Sequence, residues 1–421
     1  MKLSKQQQEI VDCNAKNIIV DAGSGSGKTR TLTEKVRKVL NDGVDPRSVV
    51  VITFTNLAAD ELKNRLKDVP NSDKCFIGTI HSYANKLLKK TGYEYEIFSE
   101  FHQNEFMKVL IPKYARYCSL DDYCLFVKYS NYVNKGYMSE SELPYKFTDI
   151  KVYKEIRYLL GEESNYNYTE TVKTLCEVNH ILSFDDLLKL STQYFNESKT
   201  VLEYLFVDEL QDIGWLEYNF LKGLNANHNF WIGDDFQAIY QFKGGNVDIF
   251  LSIMHNKYWK AFYLTENYRT SKEIMDFANK IVRNAKDIID KDCICMNKEK
   301  GCVKFNSKTQ IESFVKSLDQ NESWMFLTRT NKELNELSSK LKKLGVEFYS
   351  VNQPIESESE RQKILSKYKI KLMTVHKSKG LEDDSVALYG KFPIKPTKDT
   401  DEYKVFYVGI TRARTKCFLF L

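Results

Sequence analysis

The sequence predicts an α/β protein of two parallel-sheet lobes, the first interrupted by a mostly helical insertion. Three observations carry that expectation. Short apolar runs rich in Val, Ile and Phe recur along the chain. Longer charged stretches of helical period separate them, and between about residues 84 and 200 the alternation stops. Continuous apolar strands joined by helices imply parallel sheets covered on both faces. At 421 residues the chain is long enough for two or more domains with sizeable cores.

The elements follow in order. Buried strands are expected at Asn17–Gly23 (NIIVDAG), Val49–Thr55 (VVVITFT), Tyr204–Glu209 (YLFVDE) and Asn229–Asp235 (NFWIGDD). The later half repeats the style at Ala261–Arg269, Trp324–Thr330, Ile370–His376, Ser385–Gly390 and Cys417–Leu421. Between the halves, stretches such as EFMKVLIPKYARYC and DIKVYKEIRYLL carry tyrosines, lysines and apolar residues at helical spacing. They read as a helical insertion between two strands of the first sheet. No repeat, low-complexity tract or long Pro/Gly linker appears.

Composition narrows the class. Hydrophobic residues make up 42% and charged residues 28%, with a net charge of +5, which permits a polyanionic partner without requiring one. No apolar run approaches the roughly 20 residues that cross a bilayer. The start, MKLSKQQQEIVDC, lacks the apolar core of a secretion signal, so a cytoplasmic protein without a membrane partner is expected. Nine cysteines spread over this length argue for reduced thiols. Cys293, Cys295 and Cys302 cluster without the paired spacing of a zinc site and read as buried or incidental thiols.

One loop carries chemistry by itself. Ala22–Thr29 (AGSGSGKT) follows a strand and leads into a helical stretch, the context of a phosphate-binding loop. Gly23, Gly25 and Gly27 let the backbone curl its N–H groups around phosphates, with Ser24 and Ser26 between them. Lys28 supplies a cation for the β- and γ-phosphates and Thr29 an oxygen for Mg²⁺. Ala22 stands where the strict pattern has glycine. A nucleotide site also needs a carboxylate at the end of a neighbouring strand, and LFVDELQD offers Asp208 for Mg²⁺ and Glu209 for the attacking water.

Taken in order, further stretches resemble the UvrD/Rep/PcrA group of superfamily 1A DNA helicases. LSKQQQEIV resembles that family's glutamine motif, ITFTNLAADEL (52–62) motif Ia and GTIHS (78–82) motif Ib. VDELQD resembles motif II, IGDDFQAIYQFKGG (232–245) motif III and ENYR (266–269) motif IV. MTVHKSKGLE (373–382) is similar to motif V and YVGITRA (407–413) to motif VI. The resemblance runs from residue 3 to about 414. It implies two RecA-like P-loop motor domains, one from 1–84 and 200–264, the other from 265–421, with an accessory domain at 85–199.

The resemblance also implies roles. Lys28, Thr29, Asp208 and Glu209 would form the Mg–ATP core, with Gln237 sensing the γ-phosphate. Arg269 and Arg412 would reach across from the second lobe. Gln7 would meet the adenine, Tyr268 and Arg30 would sandwich it, and Glu382 would touch the ribose. Phe54, His81, Tyr240, Phe242, Lys243 and His376 fall where the family contacts single-stranded DNA. Arg414, just past the last motif, reads as a surface charge.

Departures from the family are also legible. Leu57 stands where a lysine is usual in motif Ia, and Phe242 and Lys243 replace a tryptophan and an arginine in motif III. LTRTNKEL (327–334) resembles motif IVa, yet only a short polar connector, about 352–369, precedes motif V where relatives carry a second accessory domain. The sequence ends directly after motif VI, so no nuclease or docking tail is expected. Two functions are expected from this. The first is an ATP-driven translocase moving 3′ to 5′ on single-stranded DNA and unwinding duplex. The second is a sensing ATPase subunit that switches a partner nuclease, as in compact bacterial defence complexes of the Gabija type. RNA is a weaker track, since nothing here reads a 2′-hydroxyl.

Overall fold

The computed structural model describes residues 2–98, 180–198, 200–319, 322–350, 367–394 and 401–421. The chain divides into two compact units, Met1–Tyr83 with Lys199–Leu421, and Ala84–Ser198. The larger unit holds two six-stranded sheets, both wholly parallel.

The first sheet comprises β1 (Asn17–Ala22), β2 (Val49–Thr53), β3 (Phe76–Thr79), β4 (Tyr204–Val207), β5 (His228–Gly233) and β6 (Lys260–Leu264). Their spatial order is β3-β2-β4-β5-β1-β6. β2 is buried at every position and β1 at all but its first, which is why both read as unbroken apolar runs. Helix α1 (Lys5–Asp12) precedes β1, helix α2 (Lys28–Asn41) follows it, and helix α3 (Asn56–Arg65) follows β2. Lys35 on α2, itself buried, donates to the carbonyls of Val11 and Cys13 at 2.9 and 2.5 Å, capping the end of α1.

The second sheet comprises β7 (Cys302–Asn306), β8 (Trp324–Thr328), β9 (Tyr349–Ser350), β10 (Ile370–Thr374), β11 (Asp383–Tyr389) and β12 (Ala413–Phe420), in the order β7-β12-β11-β8-β10-β9. One face packs Met325, Leu327 and Leu388 against the helices Lys272–Val282 and Asp401–Ile410. The other packs Trp324, Phe326 and Leu372 against the helix Asn331–Lys343.

Several sequence expectations change. The run Ala261–Arg269, grouped by its style with the later half, is divided after Leu264, the last residue that the resemblance assigns to the first motor domain. Its first part is β6, the edge strand of the first sheet, and only Glu266–Asn267 goes on to pair with Ile294–Cys295. β3 and β7 went unread because each is short or half-buried, with little apolar signal. β12 begins at Ala413, four residues before the expected start, since Arg414, Thr415 and Lys416 are polar and none of them is buried, so the apolar run starts only at Cys417.

In the smaller unit, Glu96–Ile97 pairs in parallel with Ile181–Leu182, so the insertion is not helical throughout. Its helix Phe184–Glu197 opens on a capping box between Ser183 and Asp186. The remainder of the expected helical insertion (99–179) and most of the expected connector (352–366 of about 352–369) lie outside the described residues. Among the described residues no helix is long and apolar enough to cross a membrane.

Candidate functional site

The loop after β1 is built by sequence and clamped by neighbours. Gly25 and Gly27 sit at φ +69° and +83°, a region L side chains rarely adopt. A Cβ on Gly25 would also lie 2.6 Å from Asn267 Nδ2 and 2.8 Å from Arg269 Cβ. That crowding has a purpose in the fold. Asn267 donates to the Ser24 carbonyl at 2.5 Å, Tyr268 N–H to the Gly25 carbonyl at 3.0 Å, and Gly23 N–H to the Leu264 carbonyl at 2.9 Å. The segment leaving β6 therefore holds the loop in shape. Ala22 ends β1 and accommodates its methyl without a positive φ.

Around this loop opens a cleft of about 850 Å³. One wall carries Ala22, Gly23, Gly25, Gly27, Lys28, Thr29 and Arg30, with Asp208, Glu209 and Gln237; the other carries Tyr268, Arg269, Glu382, Arg412 and Arg414. Ser24 and Ser26 lie buried beneath, and Ser26 Oγ has no hydrogen-bond partner among the described residues. Gln7 is buried too. Its amide donates to the Ser26 carbonyl at 2.9 Å and accepts from Ser4 N–H at 3.1 Å, so it braces the loop.

The charges of the first wall are tightly balanced. Lys28 Nζ lies 2.6 Å from Glu209 Oε1 and 3.8 Å from Asp208 Oδ1. Burial disfavours the Lys28 charge, yet the two carboxylates outweigh it and hold its pKa above the ordinary lysine range. Burial and the adjacent Glu209 push Asp208 upward. Burial opposes the Glu209 charge as well, but Lys28 and Lys379 keep it ionised, below the usual carboxylate range. Glu209 adopts φ +53°, an uncommon value for a residue with a side chain, of the kind that gathers at functional turns.

The second wall meets the first through Arg412. Its guanidinium, 2% exposed, donates from Nη2 to Gln237 Oε1 at 3.0 Å, from Nε to the Val408 carbonyl at 3.0 Å and from Nη1 to the Leu381 carbonyl at 3.2 Å. Gln237 in turn donates to Asp234 Oδ2 at 2.5 Å. Burial and the neighbouring Arg269 push the Arg412 pKa down to about 10, so it remains a cation at neutral pH. Arg269 is ion-paired with Glu382, whose other oxygen accepts from Arg414 Nη2 at 2.6 Å. Arg414 is exposed, as expected of a surface charge, and it also lines the rim of the cleft through its bond to Glu382. Tyr268, 45% exposed, donates to Glu266 at 2.7 Å and presents its ring to the cleft beside Arg30.

Four of the six nucleic-acid candidates form one aromatic cluster. Phe54, just past β2, stacks on Tyr240 at 5.1 Å and 21°. Tyr240 lies 6.1 Å from Phe242, and Phe242 meets His376 edge-on at 5.2 Å and 85°. The Tyr240 hydroxyl donates to the His376 carbonyl at 3.0 Å, tying the two lobes. These rings line a groove of about 730 Å³ with Arg329, Thr330 and Lys377. His81 lines an adjoining hollow with Phe54 and Tyr240. The Lys243 side chain lies outside what the structure describes.

Sequence reasoning passed over Lys379. Its ammonium is ion-paired with Asp212, donates to the Gln237 carbonyl at 2.9 Å, lies 3.8 Å from Glu209 Oε2 and sits 5.2 Å from the Tyr240 ring centroid. It therefore touches both the cleft and the groove. Burial raises the Asp212 carboxyl to about 6 even with that partner. The only signal in the sequence was the position of Lys379 within the motif V stretch.

Known proteins align with this arrangement. The UvrD/REP helicase N-terminal domain matches residues 3–258, and the UvrD-like helicase C-terminal domain matches residues 353–421. A probable DNA helicase of Mycoplasma pneumoniae is 27% identical over the whole of this chain and 83% of its own length. A probable DNA helicase II homolog of Mycoplasma capricolum subsp. capricolum is 29% identical, over 75% of this chain and 46% of that protein. The ATP-dependent DNA helicase PcrA of Staphylococcus aureus is 28% identical, over 67% of this chain and 40% of that protein. Against the last two, the match spans less than half of the relative's length. With the N-terminal domain alone covering more than half of its residues, the chain belongs to the UvrD/REP helicase family.

Proposed function

We propose that the protein hydrolyses ATP between its two lobes and uses the cycle to move 3′ to 5′ along single-stranded DNA, unwinding duplex it meets. One observation carries this reading. The stretch 233–243 begins at the nucleotide cleft, where Gln237 bonds Arg412, and ends at the groove, where Tyr240 and Phe242 join Phe54 and His376. A change at one end has only a few residues to cross before it reaches the other.

The chemistry assigns work to each group. Hydrolysis of a phosphoanhydride builds charge on the γ-phosphoryl oxygens, which positive groups around them stabilise. Lys28 approaches from one wall, Arg269 and Arg412 from the other. Thr29 and Asp208 are the hard oxygen donors that suit Mg²⁺, which when bound neutralises phosphate charge. The buried Ser26 hydroxyl and the loop N–H groups fit the same anion. When phosphates draw Lys28 away, Glu209 loses its strongest stabilising partner and becomes a better acceptor for a proton of the attacking water. Glu382, now neutralising Arg269, would have to release it to ATP.

On the track side, rings suit a strand of any sequence because every base offers a π-face. The test is hydrolysis by the purified chain with single strands of either polarity of overhang, duplex, RNA or no nucleic acid. Strong stimulation by single-stranded DNA is expected. Hydrolysis indifferent to DNA would sink the translocase. The reading as a switch for a partner nuclease has no observation of its own among the described residues.

A further inference from the structure

Behind the cleft lies a second charged cluster that the chemistry above does not use. Lys291 Nζ, 3% exposed in its side chain, is ion-paired with Asp21, lies 3.2 Å from Asp234 Oδ1 and bonds Asp235; all three carboxylates are fully buried. Their oxygens lie within 4.8 Å of one another, spacing that suits one small cation. The ammonium already fills that place, so the cluster is no candidate for a metal. Asp235 also accepts from Ile289 N–H, and the Lys291 ammonium sits 4.3 Å from the Phe236 ring centroid.

Where these residues come from gives the cluster its meaning. Asp21 is next to last in β1, immediately before the phosphate loop. Asp234 and Asp235 open the turn that ends at Gln237, and Asp234 holds the Gln237 amide directly. Lys291 arrives on the segment after the helix Lys272–Val282, which packs in the core of the second sheet. The same segment then presses Cys293 against the loop: a Cβ on Gly23 would stand 2.2 Å from its sulfur. Asn279 of that helix fixes the segment by donating to the Cys293 carbonyl at 3.0 Å.

A buried charge with partners is a poor source of stability, because desolvation offsets most of the attraction. Its best use is to specify a geometry. We propose that Lys291 is a positioning residue that fastens the root of the phosphate loop and the root of the Gln237 turn to the second lobe, so that nucleotide at the loop moves the turn and the lobe together. The residue touches no reacting atom and acts through Asp21 and Asp234. This inference rests on the ATP-site reading given above.

The test uses the full chain as wild type, Lys291→Met and the charge-balanced double variant Lys291→Met/Asp235→Asn, with thermal melting to compare their folding. Hydrogen exchange is followed with and without a β,γ-imido ATP analogue. In the wild type, the analogue should protect the loop (23–29), the turn (234–238) and the segment 289–295 together. In the double variant the loop should still be protected while the turn and the segment are not. Its DNA-stimulated turnover should fall about tenfold to a hundredfold, as misplacement of a distant support can do, with KM for ATP within about threefold of wild type. If the double variant melts like the wild type and keeps joint protection and turnover, the inference is overturned. A double variant that cannot fold overturns it too, since Lys291 is then a scaffold residue. If the wild type shows joint protection that Lys291 controls but no DNA-stimulated hydrolysis, the translocase reading fails and the inference stands.

Discussion

The first sheet presents the carboxyl ends of β1, β4 and β5 to the cleft around the glycine-rich loop, whereas the second presents the amino ends of β11 and β12. Ala22, Val207 and Gly233 close the first three strands just before the phosphate loop, Asp208–Glu209 and the Gln237 turn. Glu382 and Arg412 stand one residue ahead of β11 and β12. This difference decides what each lobe can offer an anion. Beyond the carboxyl end of β1 comes the amino terminus of α2, with outward N–H groups and the positive end of the helix dipole. Ahead of β12 stands instead the carboxyl end of the helix Asp401–Ile410, where the negative end of the helix dipole repels a phosphate. The second lobe must therefore supply whole side-chain cations. Arg412 does so while its Nε caps that same helix end at the Val408 carbonyl.

The largest effect should come from breaking the first edge. Lys28→Ala removes the one side-chain cation of the phosphate loop and leaves Glu209 beside Asp208 without it. DNA-stimulated kcat should drop about a thousandfold, measured by phosphate release at saturating ATP. A loss smaller than about tenfold would mean that the loop N–H groups hold the phosphates by themselves. Breaking the second edge comes next. Arg412→Ala should lower kcat about a hundredfold or more, because a cation aimed at developing charge acts in the transition state. If KM for ATP rises by that factor while kcat holds, Arg412 binds ground-state nucleotide and the asymmetry drawn above loses its catalytic meaning.

Much of the first edge was legible because each of its parts is local in sequence. Strand, glycine-rich loop and helix follow one another within residues 17–41, and Asp208–Glu209 directly ends a strand. The second edge was legible only through resemblance, since nothing in the spacing of Arg269 and Arg412 brings them to one cavity. What escaped is what depends on pairing between distant segments. β6 reads in style like its neighbours in the later half, and only the domain bounds drawn from the resemblance put it with the first lobe, where its partner is β1, more than two hundred residues earlier. Lys291 and Lys379 look like ordinary surface lysines, and their burial follows from carboxylates that arrive from the other lobe. Arg414 is the surface charge expected of it, but its place on the cleft rim comes from Glu382, thirty-two residues away along the chain. A buried charge leaves no periodic mark, so a pattern of apolar residues cannot reveal it.

The groove provides a contrast with the cleft. Its groups are aromatic and partly open, Phe54 at 39% and Phe242 at 47% exposure, where Gln237 and Arg412 are buried and fully bonded. Loss of one ring should therefore cost affinity for the track more than chemistry. Phe242→Ala should weaken single-stranded DNA binding by about 1–3 kcal/mol, roughly 5- to 150-fold in Kd, read by anisotropy of a labelled oligonucleotide. An equal fall in kcat at saturating DNA would show that this ring carries the signal to Gln237 as well as the grip on the strand.

The finest comparison lies within one ring. Phe242 holds the place where the motif III resemblance leads one to expect tryptophan, and it meets His376 by its edge while nearly half of its surface faces solvent. An indole in this position keeps the edge contact and extends its second ring over the open side, adding π-face without entering a packed core. The gain is bounded by what an aromatic pair contributes beyond its area, about 0.5–1.5 kcal/mol, and part of it goes to ordering the larger side chain. Phe242→Trp should thus tighten single-stranded DNA binding by only about threefold. Because saturating DNA fills the groove whichever ring is present, kcat at saturating DNA should stay where it was. If the indole weakens binding instead, the groove is shaped around the smaller ring, and the phenylalanine reflects fit to Tyr240 and His376 rather than a thinner grip on the strand.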